Sequence, residues 1–162
     1  MNVYIGADYR GFSLKQDLTK FLAGFDHADE VVDLGTYSAS DKDDYNDPAI
    51  AVARAVRDNP TSRGILICDS AHGMTIQANR FSGIRATHCD SPESAVLARE
   101  HDDANILCLS AHFLDTEAAR RIASAFLGTD FQPLERRVRR INRLDEEVFD
   151  YDTLLTGGQI YD

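Results

Sequence analysis

The sequence predicts an α/β fold, a doubly wound five-stranded parallel sheet flanked by helices. Three observations carry that expectation. Five short apolar runs recur along the chain, and stretches with helical apolar spacing separate them. One run, GILIC at 64–68, is apolar throughout, as a strand covered on both faces must be. Strands alternating with helices pair in parallel through crossovers, which the chirality of the chain makes right-handed.

VYIGA (3–7) reads as the first strand. FSLKQDLTKFLAGF (12–25) follows as a helix, with Leu14, Leu18, Phe21 and Leu22 on one face. EVVDLG (30–35) is a second strand, and DPAIAVARAVRD (47–58) a helix with Pro48 in its first turn. After GILIC, MTIQANRF (74–81) has helical character and GIRAT (83–87) strand character. SPESAVLAREH (91–101) is a helix with Ser91 as N-cap and Pro92 at the first helical position. NILCLS (105–110) is the fifth strand, and DTEAARRIASAFLG (115–128) a helix ending at Gly128. The result is Rossmann-like, and such folds bind ligands at the carboxyl ends of their strands near the topological switch point. Attention therefore falls on Asp8 to Arg10, Cys68 to Gly73 and Ser110 to His112.

Residues 1–130 make up the expected α/β domain. Residues 131–162 form a C-terminal helix and extended tail of the same domain, expected to pack on a partner subunit. The first half of the tail is basic, with Arg136, Arg137, Arg139, Arg140 and Arg143, and the second half is acidic.

At 162 residues the chain has one domain's length and enough core to need no staples. Its net charge of −10 repels nucleic acid and anionic lipid, both of which are bound through Lys and Arg. The arginine-rich helix is interrupted by acids, which disfavours a nucleic-acid role for it. Three widely spaced cysteines, Cys68, Cys89 and Cys108, with no CxxC, speak against a disulfide framework or zinc site. Five histidines show no metal-ligand spacing, and no Walker or GxGxxG signature occurs. No membrane-length apolar run and no signal-peptide apolar region are present, so a cytoplasmic location and no cofactor or metal are expected.

In GILICDSAHGMTIQANRFSGIRA (64–86) a buried strand ends at Cys68, and a polar turn leads into a helix. Backbone N–H groups at such a turn favour a thiolate and bind anions, which suits a general base. A buried structural thiol fits the same local pattern, and the two readings stand open on the residues alone. Asp8 in GADYRGF (6–12) reads as a helix cap or as a ligand for a sugar hydroxyl, and Arg10 as an anion contact or a plain surface arginine. His101 near a helix end suits proton shuttling or a favourable interaction with the helix dipole. Asp102 and Asp103 either orient that imidazole or belong to a solvated turn. His72 and His112 sit in strand-end loops, whereas His27 and His88 lack supporting context.

The segment 64–86 resembles the active-site segment of the type B ribose-5-phosphate isomerase and galactose-6-phosphate isomerase family. VVDLGTYS (31–38) with Asp44-Tyr45, AREHDDANIL (98–107) and GADYRGF are similar to further segments of that family, in the same order, over about residues 2 to 131. The resemblance implies metal-independent aldose–ketose isomerisation of a phosphorylated pentose or hexose through an enediolate. It implies Cys68 as the base and His101 as the ring-opening residue. Ser70 matches a family hydroxyl position, and the turn Asp69 to Gly73, which contains Ala71 and His72, is matched to the backbone cradle of the enediolate. Asp8, Tyr9, Arg10, Asp102, His112 and Arg137 fall at substrate-facing positions. The active unit implied is a homodimer or tetramer, or a complex with a related subunit, each site drawing on two chains.

The departures from the family pattern cluster at that site. The chain has Asp8-Tyr9 where the family has Asp-His, Asp69-Ser70-Ala71 for Gly-Thr/Ser-Gly, and Asp102 for Asn. It also has His112 for Arg, and Pro133-Leu134 for Arg-His. Asp69 would raise the Cys68 pKa if it faced the thiol. The tail is similar to that of galactose-6-phosphate isomerase subunits. An altered substrate or a catalytically degenerate partner subunit would each account for these changes. A flavodoxin-like binding domain is the reading from another functional class, and it gives Cys68 and His101 no joint role.

Overall fold

The structure, a computed structural model, describes residues 1–40 and 44–144. Ten elements alternate strictly: β1 (Asn2–Ala7), α1 (Phe12–Leu22), β2 (Glu30–Asp33), α2 (Asn46–Asp58), β3 (Arg63–Cys68), α3 (His72–Ala78), β4 (Ala86–His88), α4 (Pro92–Asp102), β5 (Ile106–Ser110) and α5 (Thr116–Leu127). A further helical stretch spans 135–144. The acidic second half expected of the tail lies outside the described residues.

All strands are parallel, in the order β2-β1-β3-β5-β4. The chain leaves β1 outward to β2, then crosses back to β3 on the other side. The switch point therefore lies between β1 and β3, which pair from Val3↔Arg63 to Ala7↔Ile67.

Period-two alternation divides the strand side chains between two cores. Ile65 and Ile67 join Leu14, Leu18, Ile122 and Phe126 under α1, α4 and α5. Leu66 and Cys68 join Val52, Ala53, Met74 and Ala78 under α2 and α3. The central strand is thus covered on both faces, as its unbroken apolar run predicts. A half-buried ion pair fastens α1 to the edge: Lys15, 1 % exposed, reaches Asp33 at 2.6 Å and donates to the Thr36 carbonyl.

Ser91 caps α4 as expected, its Oγ accepting from the Ser94 N–H at 3.1 Å. Several boundaries differ from expectation: α1 ends at Leu22 rather than 25, β2 at Asp33 rather than 35 and α3 at Ala78 rather than 81. α3 begins at His72 rather than 74. β4 covers Ala86–His88 rather than 83–87, because Gly83 takes φ +77° in a turn and the Arg85 N–H donates to Asn105 Oδ1 rather than to a strand.

Among the described residues no helix is long and apolar enough to cross a membrane.

Candidate active site

β1 and β3 end side by side at the switch point, and their loops open one pocket. Asp8, Tyr9 and Arg10 follow β1; Cys68, Asp69, Ser70 and Gly73 follow β3; Asp44 and Tyr45 come from the start of α2. Together they line a concavity of about 400 Å³. The loops are held in step because parallel pairing runs past the strand ends. The Asp8 N–H donates to the Ile67 carbonyl, Ala111 N–H to Cys68, and His112 N–H to Asp69. Ser110, in register with Cys68, donates from Oγ to the Asp69 carbonyl at 2.6 Å and accepts from the N–H groups of His112 and Phe113.

Cys68 is 5 % exposed, and the Ala71 N–H donates to its Sγ at 3.1 Å. Burial pushes the thiol above its ordinary pKa, the Asp8 carboxylate adds to the rise, and N–H groups of Ala71, Met74 and Ser70 oppose it. The expected lowering by the turn is therefore present but outweighed. The dielectric penalty of a buried anion exceeds what three backbone dipoles return.

The raising carboxylate is Asp8 rather than the adjacent Asp69. Asp69 Oδ1 lies 3.8 Å from Arg10 and 3.6 Å from His112 Nδ1 instead. Asp8, 7 % exposed, accepts the N–H groups of Arg10 and Gly11 with Oδ1 at 3.0 and 2.9 Å, so it closes the β1 turn without capping α1. Burial raises its own pKa despite those bonds.

Ala71 is fully buried at φ +69°, a left-handed conformation that strains a side-chain-bearing residue and aims its N–H at Cys68. A Cβ on Gly73 would stand 2.7 Å from the Tyr45 ring, so only glycine lets that ring lie over the turn. Asp44 and Tyr45 are pocket residues that a strand-end search passes over. They lie just before α2, and only tertiary packing of α2 on α3 brings them in.

Four expected site residues lie elsewhere in the chain. His72 leaves the pocket and meets His88 edge-on, the rings 5.9 Å apart. Arg137 is buried and donates to Gln132 Oε1 at 2.8 Å. His101 and Asp102 line a different groove with Thr87, Ser94 and Leu97. The separation follows from topology: α4 runs back to the amino ends of the strands, so His101 precedes β5 whereas Cys68 ends β3. Asp103 is taken by Arg85 and Arg99 at 2.7 and 2.8 Å and does not orient the imidazole. Cys108, fully buried in β5, has its thiol pushed up to about 12 and is a core residue. Among the described residues no three His, Cys, Asp or Glu side chains are grouped to hold a metal ion.

A family profile described as Ribose/Galactose Isomerase matches residues 3–144. The chain is 37 % identical to ribose-5-phosphate isomerase B of Escherichia coli K12 over 146 residues, 89 % of this chain and 96 % of that protein. Over 148 residues it is 36 % identical to the Mycobacterium tuberculosis H37Rv ribose-5-phosphate isomerase B, covering 90 % of this chain and 89 % of that one. The crystal structure of a ribose 5-phosphate isomerase from Thermotoga maritima superposes with a TM-score of 0.84 at 40 % identity, covering 90 % of this chain and 97 % of that one. The Mycoplasma genitalium enzyme with bound ribulose-5-phosphate superposes with a TM-score of 0.86 at 36 % identity, covering 91 % and 96 %.

Proposed function

The chain belongs to the ribose/galactose isomerase family, and we propose that it interconverts an aldose phosphate and its ketose with Cys68 as the base. That it is an isomerase of phosphorylated sugars is carried by the family and its relatives; the sugar and the residue roles are our reading. The observation that supports the reading most is the placement of Cys68. A thiol at the switch point faces a polar pocket, with the N–H groups of Ala71, Met74 and Ser70 favouring its charged form.

In the open-chain aldose the Cys68 thiolate takes the proton from C2. The C1 carbonyl oxygen then carries the charge of an enediolate. Return of the proton to C1, with the O2 proton passing to O1, leaves the carbonyl at C2 and the atoms and electrons in balance. N–H groups of the 69–73 turn are suited to hold the enediolate oxygens, a preorganised stabilisation that needs no mobile charge. Asp8, Tyr9 and Ser70 offer hydroxyl contacts, and Arg10 supplies the local positive charge that an acidic protein needs to bind a phosphate, with the His112 ring beside the same Asp69 oxygen. His101 and Asp102 cannot serve the pocket of their own chain. They serve that of a second copy, where the imidazole opens the sugar ring. Arg137 would contribute from the same partner face only by giving up Gln132.

Ribose 5-phosphate is the first substrate to try, since it names the relatives above. A panel of ribose, allose, galactose and tetrose phosphates, each followed for ketose formation, tests the proposal. Turnover of at least one supports it. No turnover on any overturns it in favour of a non-catalytic partner subunit, the reading favoured by an Asp69 carboxylate standing against Arg10. The shared site has its own test. Cys68→Ala and His101→Ala are each inactive, but mixed and reassorted as C2 dimers they regain about a quarter of wild-type turnover. No recovery would mean that His101 acts within its own chain, and an active His101→Ala would place it outside the reaction.

A further inference from the structure

β4 is an outer edge of the sheet, and the Cys68 pocket and the His101 groove lie on either side of it. On one face α3 leads from the pocket, where Gly73 is a wall, to β4. On the other, Thr87 of β4 lines the groove that holds His101. The strip between them carries an imidazole pair. His72, exposed at the start of α3, meets half-buried His88 of β4 with ring centroids 5.9 Å apart and planes at 86°. The strip also leaves apolar side chains in water: Ile76, 67 % exposed one turn after His72, and Leu97, 44 % exposed in the His101 groove.

We propose that this strip is the contact between two copies of the chain, and that the contact holds only while His72 and His88 are neutral. It rests on the reading in which each copy's His101 enters the other's pocket. A two-fold pair of that kind brings both the pocket and the His101 groove into its interface, and the edge between them goes with them. Ile76 and Leu97 then leave water, which favours the contact. The same symmetry puts both imidazole pairs on one contact, so closing it buries four rings.

Few charges act on the pair. Burial moves His88 below its ordinary pKa, His72 moves it further, and Asp90 beyond the strand favours the charged form. α3 carries no other ionisable side chain, and Cys108, the register partner of His88 on β5, has its thiol pushed up to about 12. From the α2 side, Asn46 meets Gln77 of α3 and the Tyr45 ring meets Gly73. Asp69, at the end of β3, faces Arg10 and His112 instead, and Glu93 of α4 lines the groove on the other face. Taking four imidazoles out of water disfavours their charged form further. Separated copies therefore bind protons that the pair excludes. The contact is full above the ordinary histidine range, near about pH 6.5, and is lost as pH falls through it. Turnover falls with it, because His101 reaches a pocket only across the contact.

Sedimentation of the full chain over a dilution series, at about pH 7.5 and about pH 5.5, tests the proposal. The expected result is a dimer Kd raised about tenfold or more at the lower pH, and less than about threefold in His72→Gln with His88→Gln. His72→Lys places a fixed charge at an exposed position and should raise Kd about tenfold at the higher pH too, a result that does not depend on the His88 variant folding. A dimer of equal Kd at both pH values overturns the proposal, as does a pH response that the double variant retains or a His72→Lys dimer as tight as the unaltered one. In each of these cases the shared site stands. A chain that is monomeric at every concentration overturns the contact and the shared site together.

Discussion

The carboxylate of Asp69 lies 3.6 Å from Nδ1 of His112 and bridges the ends of β3 and β5, with Arg10 from the β1 loop 3.8 Å away on the same oxygen. A carboxylate here occupies the Arg10 guanidinium and the His112 ring that a substrate phosphate would use. Asp69→Asn is therefore expected to lower KM for the aldose phosphate about two- to fivefold with kcat little changed, the range that exposed ion pairs support. The gain should shrink as salt is added. Steady-state kinetics at low and high ionic strength measure it; a rise in KM would show that Asp69 binds substrate.

Asp8 raises the Cys68 pKa from across the switch point while its Oδ1 holds the turn. Asn at position 8 keeps the acceptor and removes the charge. The midpoint of the pH profile of Cys68 alkylation is expected to move down in Asp8→Asn while staying above that of a free thiol, since burial, the largest cause, remains. The same variant has a stability signature. The folded-state pKa of Asp8 is raised above 3.8, so the folded chain binds this proton more tightly than the unfolded one. Its contribution is full below about pH 3.8 and is lost as pH rises through the folded value. Asp8→Asn should be the more stable protein at neutral pH, with the difference closing in acid; equal melting temperatures at pH 7 would contradict the sign.

Gly73 lets the Tyr45 ring lie over the turn that carries Cys68 and Ser70. Gly73→Ala forces that ring away at a cost to stability of about 1 kcal/mol, because a surface side chain can swing aside. Turnover should fall far more, on the order of a hundredfold, if the ring fixes substrate geometry. Denaturant midpoint and kcat/KM measured on the same preparation separate the two effects.

Arg99 is 1 % exposed and anchors the end of α4, donating to Asp103 at 2.8 Å, to the Ala104 carbonyl and to Thr129. Arg99→Met fills the space but leaves buried acceptors unpaired, at about 3 kcal/mol in urea unfolding. A loss below about 1 kcal/mol would mean that Arg85 alone suffices for Asp103.

Much of this was legible in the sequence because it is local. The apolar run to Cys68, the Ser91 cap and the turns after β1 and β3 are short-range patterns, and the switch-point rule turns them into a pocket holding Asp8, Arg10, Cys68 and Ser70. What was not legible is tertiary. The direction of the Cys68 pKa is decided by burial, whereas the turn suggests the reverse. The orientation of Asp69 answers to Arg10 and His112 in the loops after β1 and β5. Tyr45 enters the pocket through α2–α3 packing. The split between His101 and Cys68 lies between these cases. It follows from α4 returning to the amino edge, about 17 Å of β5 away from the carboxyl edge, once the strand order is known.

The claim on which these others rest is that the Cys68 thiol moves the proton. Conversion of ribose 5-phosphate to ribulose 5-phosphate by Cys68→Ala, compared with the unaltered chain, measures it most directly. The expected result is a fall in kcat on the order of a thousandfold with KM within a few-fold, since the side chain is buried and its loss leaves the pocket standing. Turnover within tenfold of the unaltered chain would contradict the account and move the base to another residue of the pocket.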